Sequence, residues 1–126
     1  MKVNRSDSTV DVYETKIEAP IRPRIVTVYS TASIIPTSDT ADEYTVTALE
    51  HIAIILAPSG TPTNGQKLLL RILDDGTARK LSWDVAYNAI GVVLPLATVA
   101  SKYLYVGCIY NTASSKWDVV AIKVQS

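Results

Sequence analysis

Asn64–Trp83, NGQKLLLRILDDGTARKLSW, reads as turn, strand, tight turn, strand. Asn64-Gly65 supplies residues that tolerate positive φ, and Asp74-Asp75-Gly76 between two apolar runs is a hairpin signal. Leu68, Leu70 and Ile72 fall on one face of the first strand; Leu81 and Trp83 fall on one face of the return strand, with Lys80 and Ser82 opposite. The stretch therefore predicts a β-hairpin, and through it a β-domain.

Working outward, the same grammar repeats. Toward the N-terminus, Ser33–Ile35 stops at Pro36, and TSDTAD makes a polar turn. Tyr44, Val46 and Ala48 then alternate with threonines as a half-buried strand, and Ile52–Leu56 is short and almost wholly apolar. APSGTPTNG closes that run with two prolines and two glycines. Toward the C-terminus, Trp83–Pro95 is less periodic and fits an irregular crossover or one helical turn, with a brief strand at Val92–Leu94. KYLYVGCIY, Lys102–Tyr110, and KWDVVAIKV, Lys116–Val124, are strands joined by the polar turn Asn111–Ser115. No helical segment of ten or more residues separates the strands, which excludes an open βαβ arrangement. The expected fold is all-β, an antiparallel jelly-roll-like β-sandwich over residues 31–126.

Residues 1–30 differ in composition. They are rich in charge, and Pro20 and Pro23 bracket an extended step that no helix accepts. Too polar to build a core, this leader is read either as a disordered tail or as an extended arm. Val10, Val12, Tyr13, Ile17 and Ile21 are the residues with which an arm would grip a neighbour.

Several strands are apolar on both faces. Leu69 and Leu73 share a face with Lys67 and Arg71, while Leu104, Val106 and Cys108 oppose Tyr103, Tyr105 and Ile109. Either loops cover the second face, or copies of the same chain do. The second alternative makes Leu69, Leu73, Tyr103 and Tyr105 a subunit interface, with closed symmetry, a homotrimer for example.

Composition narrows function. Twelve basic and twelve acidic residues cancel, so no net field recruits nucleic acid or an anionic membrane. No apolar run approaches the length of a membrane span, and the polar start MKVNRSDSTVD does not read as a signal peptide. One cysteine, Cys108, and one histidine, His51, are too few for a Cys/His zinc site. His51 beside Glu50 lacks any nucleophile motif; Asp74 and Asp75, like Asp39 and Asp42, are explained by turn geometry. Cys108 reads as a small buried hydrophobe with no adjacent base to activate it. Arg79 and Lys80 are two basic residues on a strand rather than a nucleic-acid patch. Trp83, Trp117, Tyr87, Tyr103, Tyr105 and Tyr110 fit either core and interface packing or a sugar-stacking platform. Neither an enzyme nor a bound cofactor is expected.

The elements GQKL, DxGTARxLxW, YxAIG and LYxGCxYNxxxxKWDV occur here in that order, within Pro36–Ile122. In that order and spacing they resemble a small β-domain of tailed-bacteriophage virion structural proteins, often found at the C-terminal end of fibre-like proteins. The resemblance implies location in the virion, a jelly-roll-like sandwich and trimers; it implies no catalytic residues. Two roles follow as expectations. One is a capsid decoration or head-fibre protein, held to a capsid or tail component by its arm. The other is a tail-fibre-like module that binds a host receptor or surface glycan, with Pro58–Asn64 among the contacting loops.

Overall fold

In the computed structural model, which describes residues 22–126, the Asp74-Asp75-Gly76 step does not turn the chain back along the strand before it. The strands in chain order are β1 Ile25–Val28, β2 Ser33–Ile34, β3 Glu43–Leu49, β4 Ala53–Ile55, β5 Lys67–Asp74, β6 Leu81–Trp83, β7 Tyr87–Ala89, β8 Leu104–Asn111 and β9 Lys116–Val124. They form a six-stranded sheet ordered β1-β3-β5-β8-β9-β7 and a three-stranded sheet ordered β2-β4-β6. Strand β6 therefore lies in the other sheet from β5, and the expected central hairpin is replaced by a crossover.

The fold is all-β, with no helix among the described residues. The expected antiparallel pairing is corrected to a mixed one. β1 with β3, β3 with β5, and β7 with β9 run parallel, as do all strands of the smaller sheet; β5 with β8 and β8 with β9 are antiparallel. The physical reason lies in the path. After β1, β3 and β5 the chain crosses to the smaller sheet, lays down β2, β4 or β6, and returns to start the next strand in the same direction. Parallel neighbours need a crossover, and here short strands serve in place of the usual helix. β1/β2, β3/β4 and β5/β6 thus stack as three rungs of a short solenoid. A parallel bridge between Thr37 and Ser59 adds a further contact between the first two rungs.

One hydrophobic core draws residues from both sheets. Ile34, Ala53, Ile55 and Leu81 come from the smaller sheet; Val46, Leu70, Ile72, Leu104, Val106 and Val119 from the larger one, all essentially inaccessible. β5 carries the alternation read from its sequence: Leu68, Leu70, Ile72 and Asp74 buried, Leu69, Arg71 and Leu73 half-buried. Each fully buried leucine or isoleucine removes enough apolar surface to contribute roughly 1.5–3 kcal/mol.

Three local features depart from the sequence reading. β1 pairs with β3 from Ile25↔Glu43 to Val28↔Val46, so the sheet starts within the span assigned to the arm. Arg24 clamps that start: its guanidinium donates to both carboxylate oxygens of Asp42, and the backbone N–H of Asp42 donates to Arg24 O at 2.8 Å. Val92–Leu94 is not a strand, and Tyr87–Ala89 is one, paired with Trp117–Val119. In β9 the register shifts between the partners of Gly107 and Cys108, leaving Val120 as the extra, exposed residue of a bulge. The bulge turns Ile122 back toward the core, and so explains much of the apolar character on both faces of that strand.

Candidate functional site

The outer face of the six-stranded sheet gathers Leu69, Leu73, Tyr103 and Tyr105. Leu69 and Leu73 project from β5, and Tyr105 on β8 lies directly across from Arg71. The Tyr103 and Tyr105 rings sit 6.2 Å apart, tilted by 51°. Arg71 is the member that binds the group together. Its guanidinium carbon lies 4.7 Å from the centre of the Tyr103 ring and 5.4 Å from that of Tyr105, within cation–π range. Its Nη1 donates to Glu43 Oε2 at 2.9 Å, and Thr45 Oγ1 donates to the same oxygen at 3.3 Å. Its hydrogen bond to the Glu43 carboxylate raises the Arg71 pKa further above its already high ordinary value, so the guanidinium is a fixed charge.

The electrostatics of this patch are unfinished in one respect. Arg71 Nε is buried without a hydrogen-bond partner, and a buried unpaired donor carries a desolvation cost of about 1–3 kcal/mol. Beside it, Gly107 faces Leu69 across one ladder and Ala121 across the other. Its φ is not in the left-handed region, and an added Cβ would meet only Ala121 Cβ at 3.5 Å, an ordinary contact. Neither backbone nor crowding requires glycine there. It leaves the position between Tyr105 and Ile109 on that face without a side chain.

Sequence reasoning found the two leucines and two tyrosines and missed Arg71 and Glu43 as their organisers. The signal was out of reach, because the Glu43–Arg71 pair depends on β3 lying parallel to β5, in a register where Thr45 meets Arg71. The arm residues Val10, Val12, Tyr13, Ile17 and Ile21 lie outside the described residues.

The residues considered for chemistry are dispersed. His51 is exposed at the bend after β3. Cys108 is buried against Leu68 in the sheet, and burial pushes its thiol up to about 12. Asp39 accepts from the backbone of Thr61 at 2.9 Å, joining two loops. Asp42 is held below the usual carboxylate range by its hydrogen bonds with Arg24. Asp74 is only 3% exposed; desolvation alone would raise its pKa, but hydrogen bonds from Thr98, Ser101 and Gly76 outweigh it and leave the group depressed. Asp75 pairs with Arg79 at 2.7 Å. No group of three or more histidine, cysteine or acidic side chains is placed to hold a metal among the described residues.

Tyr44, Tyr87 and Trp117 are buried in the core, and Trp83 and Tyr110 pack against it partly buried. Tyr87 packs edge-on against Trp83 with ring centres 5.3 Å apart, and its hydroxyl donates to Leu56 O at 2.9 Å. Trp83 Nε1 donates to Pro95 O at 2.7 Å. Tyr110 and Trp117 pack together at 5.1 Å at the end of the molecule formed by the β4–β5 loop and the β8–β9 turn. No family model, curated protein or solved structure matches the chain.

Proposed function

We propose that this chain is a bacteriophage virion structural protein, a capsid decoration or head-fibre protein that joins the particle through its N-terminal arm and forms trimers through its β-domain. The two sheets over a common core are taken as the faces of a sandwich. The observation that carries the reading is the outer-face patch. Tyrosine and arginine are residue types enriched at the centres of protein interfaces, and here they are flanked by two half-exposed leucines. Gly107, where an added Cβ would meet only Ala121 at 3.5 Å, leaves space on this face for a side chain from another copy of the chain. The ordered sequence elements from GQKL to KWDV support the virion assignment by resemblance.

The test is hydrodynamic and then biological. Light scattering of the full chain at micromolar concentration is expected to return three times the chain mass. Leu69→Lys is expected to return a folded monomer, since Leu69 lies half-buried on the face opposite the core. A monomeric wild type overturns the oligomer, and an unfolded Leu69→Lys protein assigns the face to the fold itself. Removing Met1–Ile21 spares the Arg24–Asp42 clamp. That truncated chain should stay folded and oligomeric yet fail to join particles; its normal incorporation would defeat the arm reading.

A further inference from the structure

β1 and β2 make the first rung of the solenoid, and among the described residues nothing pairs with its outer side: β1 has a neighbour in β3 alone and β2 in β4 alone. The ladder shows which backbone groups are left over. Glu43 N donates to Arg24 O, so the alternation of a parallel pair turns the amides of Ile25 and Thr27 away from β3. Likewise Ile54 N donates to Ala32 O and Leu56 N to Ile34 O, which turns the Ile35 amide away from β4. Val26 and Val28 pack on the core but are only partly buried. Open strand edges are templates for a further strand, and solenoids close theirs with a terminal repeat that carries polar residues on its outer face.

The sequence holds such a repeat. Val10–Pro20, VDVYETKIEAP, aligns without gaps on Val26–Pro36, VTVYSTASIIP, the segment that makes the first rung. Val10 matches Val26, Val12 matches Val28, Tyr13 matches Tyr29, Thr15 matches Thr31 and Pro20 matches Pro36. Most of these residues build the rung in the later segment. Val26 and Val28 face the core, Thr31 Oγ1 makes the corner by donating to Ser33 O at 2.9 Å and accepting from Ser33 N at 3.2 Å, and Pro36 is fully buried where the rung ends. The differences also have a direction. Asp11, Glu14, Lys16 and Glu18 stand where the later segment has Thr27, Ser30, Ala32 and Ile34, and charge on the last strand is how natural sheets stop further pairing. Ile17, one place before the counterpart of Ile34, supplies the apolar residue of the second strand. Val26 lies six residues after Pro20, and that length of extended chain reaches about 20 Å, enough to return from one sheet to the other. We propose that Val10–Pro20 forms a fourth rung within the same molecule, pairing parallel to β1 and β2 and capping the open end. Val10 and Val12 take the inward places of Val26 and Val28, and Tyr13 takes the outward place of Tyr29, which is 66% exposed. This goes beyond the particle role: it leaves Tyr13 and the outer edge of the rung to meet a particle, and its test needs none.

Two measurements on the full chain test it. In a 15N-labelled protein the Thr27 and Ile35 amides are expected to exchange with solvent as slowly as those of β3. Val12→Asp, at an inward place, should speed both by about tenfold or more, since the burial of one apolar side chain is at stake. Asp11→Asn, at an outward place, should change neither. Slow amides in β5 and β8 report for each variant that the fold is intact. The second measurement fixes the occupant. Counterpart residues on parallel neighbours lie about 4.8 Å apart, within disulfide reach. Asp11→Cys combined with Thr27→Cys is therefore expected to oxidise within one chain, while Glu14→Cys with Thr27→Cys, out of register, stays reduced. Cys108 is buried and does not compete. Rapid exchange at Thr27 and Ile35, or exchange unmoved by Val12→Asp, overturns the proposal. So does equal bonding, or none, by the two cysteine pairs, and a covalent dimer in place of the internal bond gives the edge to a second copy of the chain instead.

Discussion

Two connections in this chain look alike on paper and do opposite things. Asp74–Lys80 follows β5 and Asn111–Ser115 follows β8; both are polar, turn-forming and flanked by strand-forming residues. The second closes a true hairpin, with Leu104–Asn111 antiparallel to Lys116–Val124. The first sends the chain to the other sheet. The difference lies in where the aspartate or asparagine side chain is anchored. Asn111 Oδ1 accepts from Ala113 N two residues on, so the bond of that side chain is local; the distant contact of this turn, from Thr112 N and Oγ1 to Asn64 Oδ1, is made at the exposed surface. Asp74 also accepts from Gly76 N, but its carboxylate is buried and accepts in addition from Thr98 Oγ1 at 2.6 Å and Ser101 N at 2.8 Å. Those partners belong to a segment more than twenty residues away. Thr98 in turn accepts from Arg79 N at 2.9 Å, and backbone bonds from Leu81 to Leu96 and from Thr98 to Arg79 lay that segment alongside the entry to β6. A turn anchored locally folds back; a turn anchored at a distance is steered.

Breaking the distant anchor should have the largest effect. Asp74→Ala removes the acceptor of three hydrogen bonds at a buried site and is expected to cost about 3 kcal/mol in chemical denaturation. Asp74→Asn, which keeps shape, should cost less, and its deficit should depend on pH. The folded pKa of Asp74 is depressed, so its stabilisation is fully present above the unfolded carboxylate value near ~3.9 and is lost as pH falls through the folded value. The gap between wild type and Asp74→Asn should therefore narrow as pH drops below about 4. Thr98→Val removes one bond to the same carboxylate and the acceptor for Arg79 N, for an expected loss of about 1–2 kcal/mol by the same measurement. The local turn sharpens the comparison from the other side. Ser115 holds φ at 57°, a conformation glycine adopts freely, so Ser115→Gly should raise stability by up to about 1 kcal/mol without touching the crossover. Asp75→Ala, which deletes the bidentate surface partner of Arg79 and a long turn bond from Thr77 N, should have the smallest cost, at most about 1 kcal/mol.

The same contrast explains how much of the molecule was legible. Strand positions and inward faces followed from alternation: Leu68, Leu70, Ile72, Leu104, Val106 and Val119 are buried as their spacing requires. The β8–β9 hairpin was legible because its information is local. Parallel stacking was not, because nothing within Glu43–Leu49 or Lys67–Asp74 records that these segments lie side by side rather than head to tail. The outer-face residues were found as apolar positions on the wrong side of a strand. Their grouping around Arg71 needed the register of three strands at once. The bulge at Val120 hid behind the even alternation of β9, since one extra residue reverses every side chain beyond it. Tyr110 and Trp117 stood out as aromatic residues, but a cavity beside them is made by Ala57, Pro58, Pro62 and Ala86, small residues with no pattern to read.

Cys108 gives this fold a clock. It is the chain's one thiol, 2% exposed, and it lies at the junction where β8 meets both β5 and the shifted stretch of β9. With its ionisation suppressed by burial, an alkylating reagent has almost no thiolate to attack in the closed molecule. Labelling must then wait for the sheet to part at that seam, and its rate across denaturant or temperature times the opening of the body's centre without any added probe.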